Sequence, residues 1–145
     1  MELTSQAFAP NQPIPPAYTH TGAGISPPLA IANAPAGTQS LALIMHDPDA
    51  PHGDFIHWVL WNISGSATLL PENHLPAGAL QGKNDFDTIG YGPPAPPSGT
   101  HRYVFDLYAL NMQLPLPAGA TADQLRMIME DHIVGTAQLV GTVSA

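Results

Sequence analysis

The sequence predicts a mainly β protein, and three features of its 145 residues support this fold class. Its 17 prolines and 13 glycines are too many for a helical bundle and indicate frequent turns. Its 44% hydrophobic content is enough for a packed core. Short stretches rich in apolar, aromatic and β-branched residues lie between turn residues, as is typical of strands. The length fits a single domain covering residues 1–145.

Three stretches have the composition of core strands. Residues 10–37 contain seven prolines and are expected to be extended chain and turns. The continuous apolar run Leu41–Met45 predicts a strand buried on both faces. In Phe55–Ile63, strand alternation places every second residue on one face: His57, Val59, Trp61 and Ile63. In His101–Leu110 it places His101, Tyr103, Phe105 and Leu107 opposite Arg102, Val104, Asp106 and Tyr108.

One helix is predicted over about residues 122–134. Thr121 and Gln124 have the spacing of a capping box. Gly135 is expected to end the helix, and residues 137–143 have the apolar content of a final strand. The apolar face of this helix consists of Leu125, Ile128, Met129 and Ile133.

The charge of the chain excludes some classes of partner. Lys83, Arg102 and Arg126 are its only firm cations, and the formal net charge is −8. Nucleic acids are therefore not expected as partners, because binding to phosphate backbones depends on clustered Lys and Arg. Neither a signal peptide nor a transmembrane segment is readable, which favours a soluble, cytoplasmic location. There are no cysteines, so disulfides and thiolate metal sites are absent.

The candidate site lies where the predicted strands end or begin. Asp47 follows one strand, and His57 and His101 stand at the starts of the other two. Two imidazoles can donate to one anion, and a carboxylate can orient an imidazole and stabilise its charged form. This set therefore predicts a pocket for a phosphate or sulfate group. The proline-rich loops 47–51 and 91–99 are expected to form its rim, with a cis bond at Pro48 or Pro51 as one hypothesis.

Two other interpretations remain open. Asp47, His57 and His101 also match the two-histidine, one-carboxylate set of a metal-dependent enzyme. Alternatively, the three side chains only pack within a structural globule. No phosphate-binding glycine loop or nucleophile elbow is present, and no dedicated base is evident for Tyr103 or the hydroxyls of Ser98 and Thr100. We therefore favour binding over catalysis, with no cofactor and no bound metal.

The motifs around these residues resemble those of the phosphatidylethanolamine-binding protein family, which includes the Raf kinase inhibitor proteins. D-P-D-A-P at 47–51 is similar to the first family signature, and P-P-S-G-T-H-R-Y at 96–103 is similar to the second. The stretch GKNDFDTIGYGPPAPP at 82–97 resembles a loop of the short bacterial members. The similarity runs from about residue 20 to the end and includes A-Q-L-V-G-T at 137–142.

The resemblance implies a fold, a site and a set of partners. The fold is a β-sandwich of two antiparallel sheets with a C-terminal helix and few other helical turns. The pocket at its edge takes phosphate-like or phosphorylated small molecules. A protein target such as a kinase or protease, which the chain would modulate or inhibit, and a homodimer are also implied. The pocket residues that carry over are Asp47, His57, His101, the wall residue Tyr103, the loop-supporting Asp49, and Ala95, whose backbone N–H would face the anion.

The loop departs from the pattern of bacterial relatives at three positions. Pro93 and Ala95 stand where a glycine and a cysteine are usual, and Asp87 replaces another glycine. A proline removes one backbone donor and restricts the residue before it. His46 and His52 flank the first motif and are assigned no role in the pocket.

Overall fold

The computed structural model describes residues 1–145 as two antiparallel β-sheets with one α-helix packed outside the larger sheet. The mainly β prediction is confirmed. Two short 3-10 turns, Pro16–Tyr18 and Glu130–His132, complete the regular structure. The elements in chain order are β1 (Glu2–Thr4), β2 (Leu29–Ala32), β3 (Ser40–Asp47), β4 (Phe55–Ser64), β5 (Leu69–Leu70), β6 (Leu80–Gln81), β7 (Thr100–Leu110), α1 (Ala122–Met129) and β8 (Ile133–Ser144).

The larger sheet has the strand order β6-β4-β3-β7-β8, and the smaller has the order β1-β2-β5. Strand β3 is central and pairs antiparallel with both β4 and β7. Asp47 pairs with Phe55, and His46 pairs with Val104, so the end of β3 adjoins the starts of β4 and β7. This antiparallel arrangement brings the three predicted strand ends to one edge of the sandwich.

Two apolar layers hold the fold together. The first fills the space between the sheets and includes Leu43 and Met45 of β3 together with Phe105 of β7. The second lies between the larger sheet and α1, where Trp61 and Leu125 are both fully buried. The inner row of β7, which begins with Tyr103, faces the first layer as the alternation predicted. Because β3 is covered on both sides, its sequence is almost uniformly apolar.

The prediction that His57, Val59, Trp61 and Ile63 share one face of β4 is wrong, because the strand contains two β-bulges. The register of β4 against β3 shifts between Leu41 and Leu43 and again between Met45 and His46. A bulge inserts one extra residue and reverses the faces of the residues beyond it. Thus Val59 and Trp61 face the helix, Ile63 faces the sheet-to-sheet layer, and His57 contacts Tyr103 on that same inner side.

The helix begins where it was predicted and ends earlier. The Thr121 hydroxyl accepts a hydrogen bond from the Gln124 backbone N–H at 3.2 Å, and the Gln124 side chain accepts from the Thr121 N–H at 2.9 Å. This confirms the capping box. However, α1 stops at Met129, and Ile133 already belongs to β8. Gly135, predicted as the helix end, lies within β8 and pairs with Ala109.

None of the helices has both the length and the apolar character needed to cross a membrane.

Candidate functional site

A cavity of about 500 Å³ opens at the edge where β3 ends and β4 and β7 begin. Five of the six residues predicted for the site line this cavity: Asp47, His57, His101, Tyr103 and Ala95. The fold therefore brings together side chains that are distant in the sequence, such as Asp47 and His101, which lie 54 residues apart. The sixth residue, Asp49, stands outside the cavity lining and contributes to the rim.

Asp47 and His101 form a buried pair on one side of the cavity. Asp47 is the last residue of β3 and continues the inward-facing row of that strand. Its Oδ2 lies 2.6 Å from Nδ1 of His101, and the two side chains are only 4% and 8% exposed. The other carboxylate oxygen accepts the backbone N–H of Asp49 at 2.8 Å. Because a carboxylate accepts hydrogen bonds, Nδ1 of His101 carries the hydrogen, and Nε2 remains for a ligand.

His57 is fixed by the backbone of the loop that crosses above it. Its Nδ1 donates to the carbonyl oxygen of Gly92 at 2.7 Å, and the N–H of Gly92 donates to the His57 carbonyl at 2.8 Å. His57 is the extra residue at the β-bulge, since Ile56 pairs with His46 and Trp58 pairs with Met45. Bulges commonly re-aim side chains near functional sites. This bulge directs the imidazole toward Tyr103 instead of the helix side.

Burial lowers the pKa of His57 below its usual value of 6.5. The hydrogen bond to Gly92 and the negative charges of Asp47, Asp85 and Asp54 oppose this shift without reversing it. At neutral pH the imidazole is therefore uncharged, with its hydrogen on Nδ1. Its Nε2 then carries a lone pair.

The Nε2 atoms of His57 and His101 are both open to the cavity. Neither atom has a hydrogen-bond partner within the protein. Every fully buried side-chain nitrogen or oxygen in the structure does have such a partner. Both Nε2 atoms must therefore be accessible, and both residues line the same cavity. The cavity thus offers two adaptable ring nitrogens to a polar ligand.

Aromatic rings form the remaining wall of the cavity. The Tyr103 ring packs edge-to-face on His57 with centroids 5.2 Å apart, and the Phe86 ring does so at 5.4 Å. Phe55 contacts both His57 and Phe86 at 5.0 and 4.8 Å. Burial and the nearby Asp47 carboxylate raise the pKa of Tyr103, so its phenol stays neutral at physiological pH. The wall is therefore aromatic and uncharged.

Asp49 braces the rim through Arg102. Its carboxylate accepts the backbone N–H and Nε of Arg102, both at 2.9 Å, and Nη2 at 2.8 Å. These contacts hold the pKa of Asp49 down at about 2. They agree with the expected support of the loop, while Asp49 itself does not line the cavity. Arg102 was not predicted to take part, although few cations were available to pair with this loop.

The loop after β6 supplies the upper rim. Ala95 lines the cavity, and its backbone N–H has no acceptor within the protein. Asp87 adopts a left-handed conformation with φ of 63°, which glycine would adopt without strain. All peptide bonds are trans, so the hypothesis of a cis bond at Pro48 or Pro51 is wrong.

Several cavity residues were missed from the sequence. His52, which was assigned no role in the pocket, lines the rim together with Asp54 and Asp85. Phe86 also lines the cavity and is 44% exposed, but exposure cannot be read from the sequence. The Gly92 carbonyl had no signal in the side-chain pattern. His46 does lie outside the cavity.

The geometry does not favour the metal-enzyme interpretation. Both carboxylate oxygens of Asp47 are already engaged, Oδ2 with Nδ1 of His101 and Oδ1 with the backbone N–H of Asp49. No group of three or more histidine and acidic side chains has an arrangement that could hold a metal ion. The two open Nε2 atoms remain available to a hydrogen-bonding ligand.

The chain is closely similar to solved structures and to other proteins over its whole length. A Chlamydia trachomatis homologue of phosphatidylethanolamine-binding protein superposes with a TM-score of 0.96 at 44% identity, covering 99% of this chain and 97% of the other. An Escherichia coli protein described as a new member of the mammalian family superposes with a TM-score of 0.93 at 28% identity, covering 99% and 98%. A UPF0098 protein of Chlamydia muridarum is 47% identical over 98% of this chain and 97% of its own length. The profile of the phosphatidylethanolamine-binding protein family matches residues 4–144. The chain therefore belongs to the phosphatidylethanolamine-binding protein family.

Proposed function

We propose that the cavity binds the phosphoryl group of a small phosphorylated molecule. The observation that carries this proposal is the pair of histidines, each anchored through Nδ1, whose Nε2 atoms open into one cavity. A backbone carbonyl holds Nδ1 of His57 and a carboxylate holds Nδ1 of His101, so both rings are in place before a ligand arrives. Such preorganisation reduces the entropic cost of binding.

Local donors must provide the affinity, because the protein as a whole repels anions. The net charge is −8, and Arg102, which follows the pocket residue His101, is engaged with Asp49. The candidate donors are the unbonded N–H of Ala95 and the two histidine rings when they are protonated. The aromatic wall and the neighbouring Pro51 and Pro97 would contact the apolar part of the ligand. Pockets that combine apolar lining with a few polar groups are typical of small-molecule sites.

We further propose that ligand binding serves the modulation or inhibition of a protein partner, such as a kinase or protease. This rests on the family to which the chain belongs and on the lack of an evident activated hydroxyl nucleophile. The hydroxyl of Thr100, for example, pairs with that of Ser144 and has no histidine or carboxylate beside it. Co-purification of a partner, and its release by excess phosphorylated ligand, would support this role.

Calorimetric titration with phosphorylethanolamine and with inorganic phosphate tests the binding proposal. Wild-type protein should bind both ligands, and His57→Ala and His101→Ala should each weaken binding by about tenfold or more, as expected for the loss of one hydrogen bond to a charged group. His74→Ala is the matched control, because His74 is exposed and does not line this cavity. Wild-type protein that binds neither ligand would contradict the proposal.

A further inference from the structure

The loop that crosses above His57 has a single backbone donor beyond Gly92. Four of the five residues 93–97 are prolines, which have no N–H group, so only Ala95 can donate from this stretch. The N–H of Gly92 is already bound to the His57 carbonyl. The N–H of Ala95 has no acceptor within the protein, and Ala95 lines the cavity. The direction of this one N–H therefore decides whether the loop contributes to anion binding.

The carbonyl of the same peptide group is held by His20. In a planar trans peptide, the C=O of Pro94 and the N–H of Ala95 point in opposite directions. The Pro94 oxygen accepts two hydrogen bonds from His20, one from the backbone N–H at 3.0 Å and one from imidazole Nδ1 at 2.9 Å. Because a carbonyl oxygen can only accept, Nδ1 carries the hydrogen. The two bonds together restrict rotation of the peptide plane.

Two further contacts hold this loop against the N-terminal segment that carries His20. The Tyr91 hydroxyl donates to the Tyr18 carbonyl at 2.6 Å. On the other side of His20, Gly24 has a φ of 69° and lies so close to Pro93 that an added Cβ would be 2.9 Å from the proline Cγ. The N-terminal segment therefore holds the loop at two points besides the His20 contact.

Resting on the phosphoryl-binding function proposed above, we propose that His20 is a positioning residue: by holding the Pro94 carbonyl, it keeps the Ala95 N–H directed into the cavity toward a phosphoryl oxygen. His20 does not line the cavity, so it acts through the peptide and not by touching the ligand. Without the imidazole bond, the peptide gains freedom to rotate, and the ligand must order it on binding. That ordering lowers affinity, whereas a donor fixed in advance avoids the loss.

Two substitutions separate the hydrogen bond of His20 from the packing of its ring. His20→Leu removes the side-chain donor, whereas His20→Asn retains an N–H near the position of imidazole Nδ1. In calorimetric titration with inorganic phosphate, His20→Leu should weaken binding by about three- to tenfold, as expected for the loss of one hydrogen bond, while His20→Asn stays within about twofold of wild type. His20 is exposed, so both variants should fold, which urea unfolding checks. His74→Ala, at another exposed histidine, should bind phosphate as wild type does.

Nitrogen-15 NMR reports on the donor itself. Relaxation of the ligand-free proteins should show the Ala95 amide to be more mobile in His20→Leu than in wild type or His20→Asn. In wild-type protein, phosphate should move the Ala95 amide proton downfield, as a new hydrogen bond to an anion does.

Three results would each show that His20 does not position this donor, while the proposed phosphoryl binding would stand. The first is equal phosphate affinity in wild type and His20→Leu, the second is an asparagine variant as weak as the leucine variant, and the third is phosphate binding that leaves the Ala95 amide unshifted. If wild-type protein does not bind phosphate at all, both proposals fail.

Discussion

His57 and Gly92 are joined by two hydrogen bonds, one from imidazole Nδ1 to the Gly92 carbonyl at 2.7 Å and one from the Gly92 N–H to the His57 carbonyl at 2.8 Å. The ring is thus held by the loop that crosses the strand. Gly92 can approach this closely because it has no side chain: a Cβ there would lie 2.5 Å from Cδ2 of Phe86 and 3.2 Å from the His57 carbonyl. The orientation of His57 therefore depends on a glycine 35 residues away.

Gly92→Ala should weaken phosphate binding more than it destabilises the fold. The partly exposed Phe86 ring can move away from the new methyl group, so we expect a loss of about 1 kcal/mol in the free energy of unfolding. Its movement would release the His57 ring and weaken phosphate binding by roughly tenfold. Urea unfolding and calorimetric titration measure the two effects.

Gly78→Ala, where nothing lies within 4 Å of the added Cβ, should lower stability through its positive φ and leave binding unchanged. Equal binding by wild-type protein and Gly92→Ala would show that the loop does not orient His57.

The position of the pocket was predictable because it follows from hydrophobic patterning. The apolar run before Asp47 and the aromatic, β-branched stretch after His57 mark strands, and antiparallel pairing joins the ends of such strands. The orientation of His57 was not predictable in this way. It depends on a bulge created by the register between β4 and β3, and on a backbone carbonyl that has no signature in the sequence.

Asp49→Asn should remove a contribution to stability that depends on pH. Arg102 lowers the pKa of Asp49 to about 2, against about 3.9 in the unfolded chain. A depressed pKa stabilises the fold above the unfolded value, and that stabilisation is lost as the pH falls from about 4 toward 2. The difference in unfolding free energy between wild-type protein and Asp49→Asn should therefore shrink over this window. Chemical denaturation at several pH values measures it.

Asp123→Asn is the matched control for this prediction. Asp123 pairs with Arg126 at 3.5 Å, but its side chain is 92% exposed, so its pair should contribute little. The same pH dependence in both variants would contradict a specific role for the contact between Asp49 and Arg102.

His46 should stabilise the fold in the opposite pH direction. Its Nδ1 lies 2.7 Å from Asp54 and its Nε2 2.8 Å from Asp106, so the imidazolium form can donate to both carboxylates. These bonds raise its pKa above 6.5 despite partial burial. The stabilisation is complete below the unfolded pKa of about 6.5 and is lost as the pH rises through the higher folded value.

Unfolding of wild-type protein and His46→Ala at pH 6 and pH 9 checks this expectation. The stability advantage of wild-type protein should be larger at pH 6. His74→Ala, at an exposed position without hydrogen-bond partners, should show no such change. An NMR titration that places the pKa of His46 at or below 6.5 would contradict this expectation.

The end of the helix illustrates a second limit of sequence patterns. Ile133 fits the helical spacing that starts at Leu125, and Gly135 is a typical helix terminator. The chain instead pairs this segment with β7, where Leu110 is opposite Ile133 and Ala109 is opposite Gly135. Tertiary pairing with a long neighbouring strand therefore overrides a local pattern that the sequence alone supports. The capping box was predicted correctly because it depends only on residues three apart.

A crystal structure of the protein grown in phosphate tests directly whether the cavity is a phosphoryl-binding site. We expect a phosphate ion within hydrogen-bond distance of Nε2 of both His57 and His101, with the Asp47 and Gly92 contacts to Nδ1 retained. The backbone N–H of Ala95 should donate to the same ion. Water alone in the cavity at saturating phosphate, or phosphate bound only elsewhere, would contradict the assignment of this cavity as a phosphoryl-binding site.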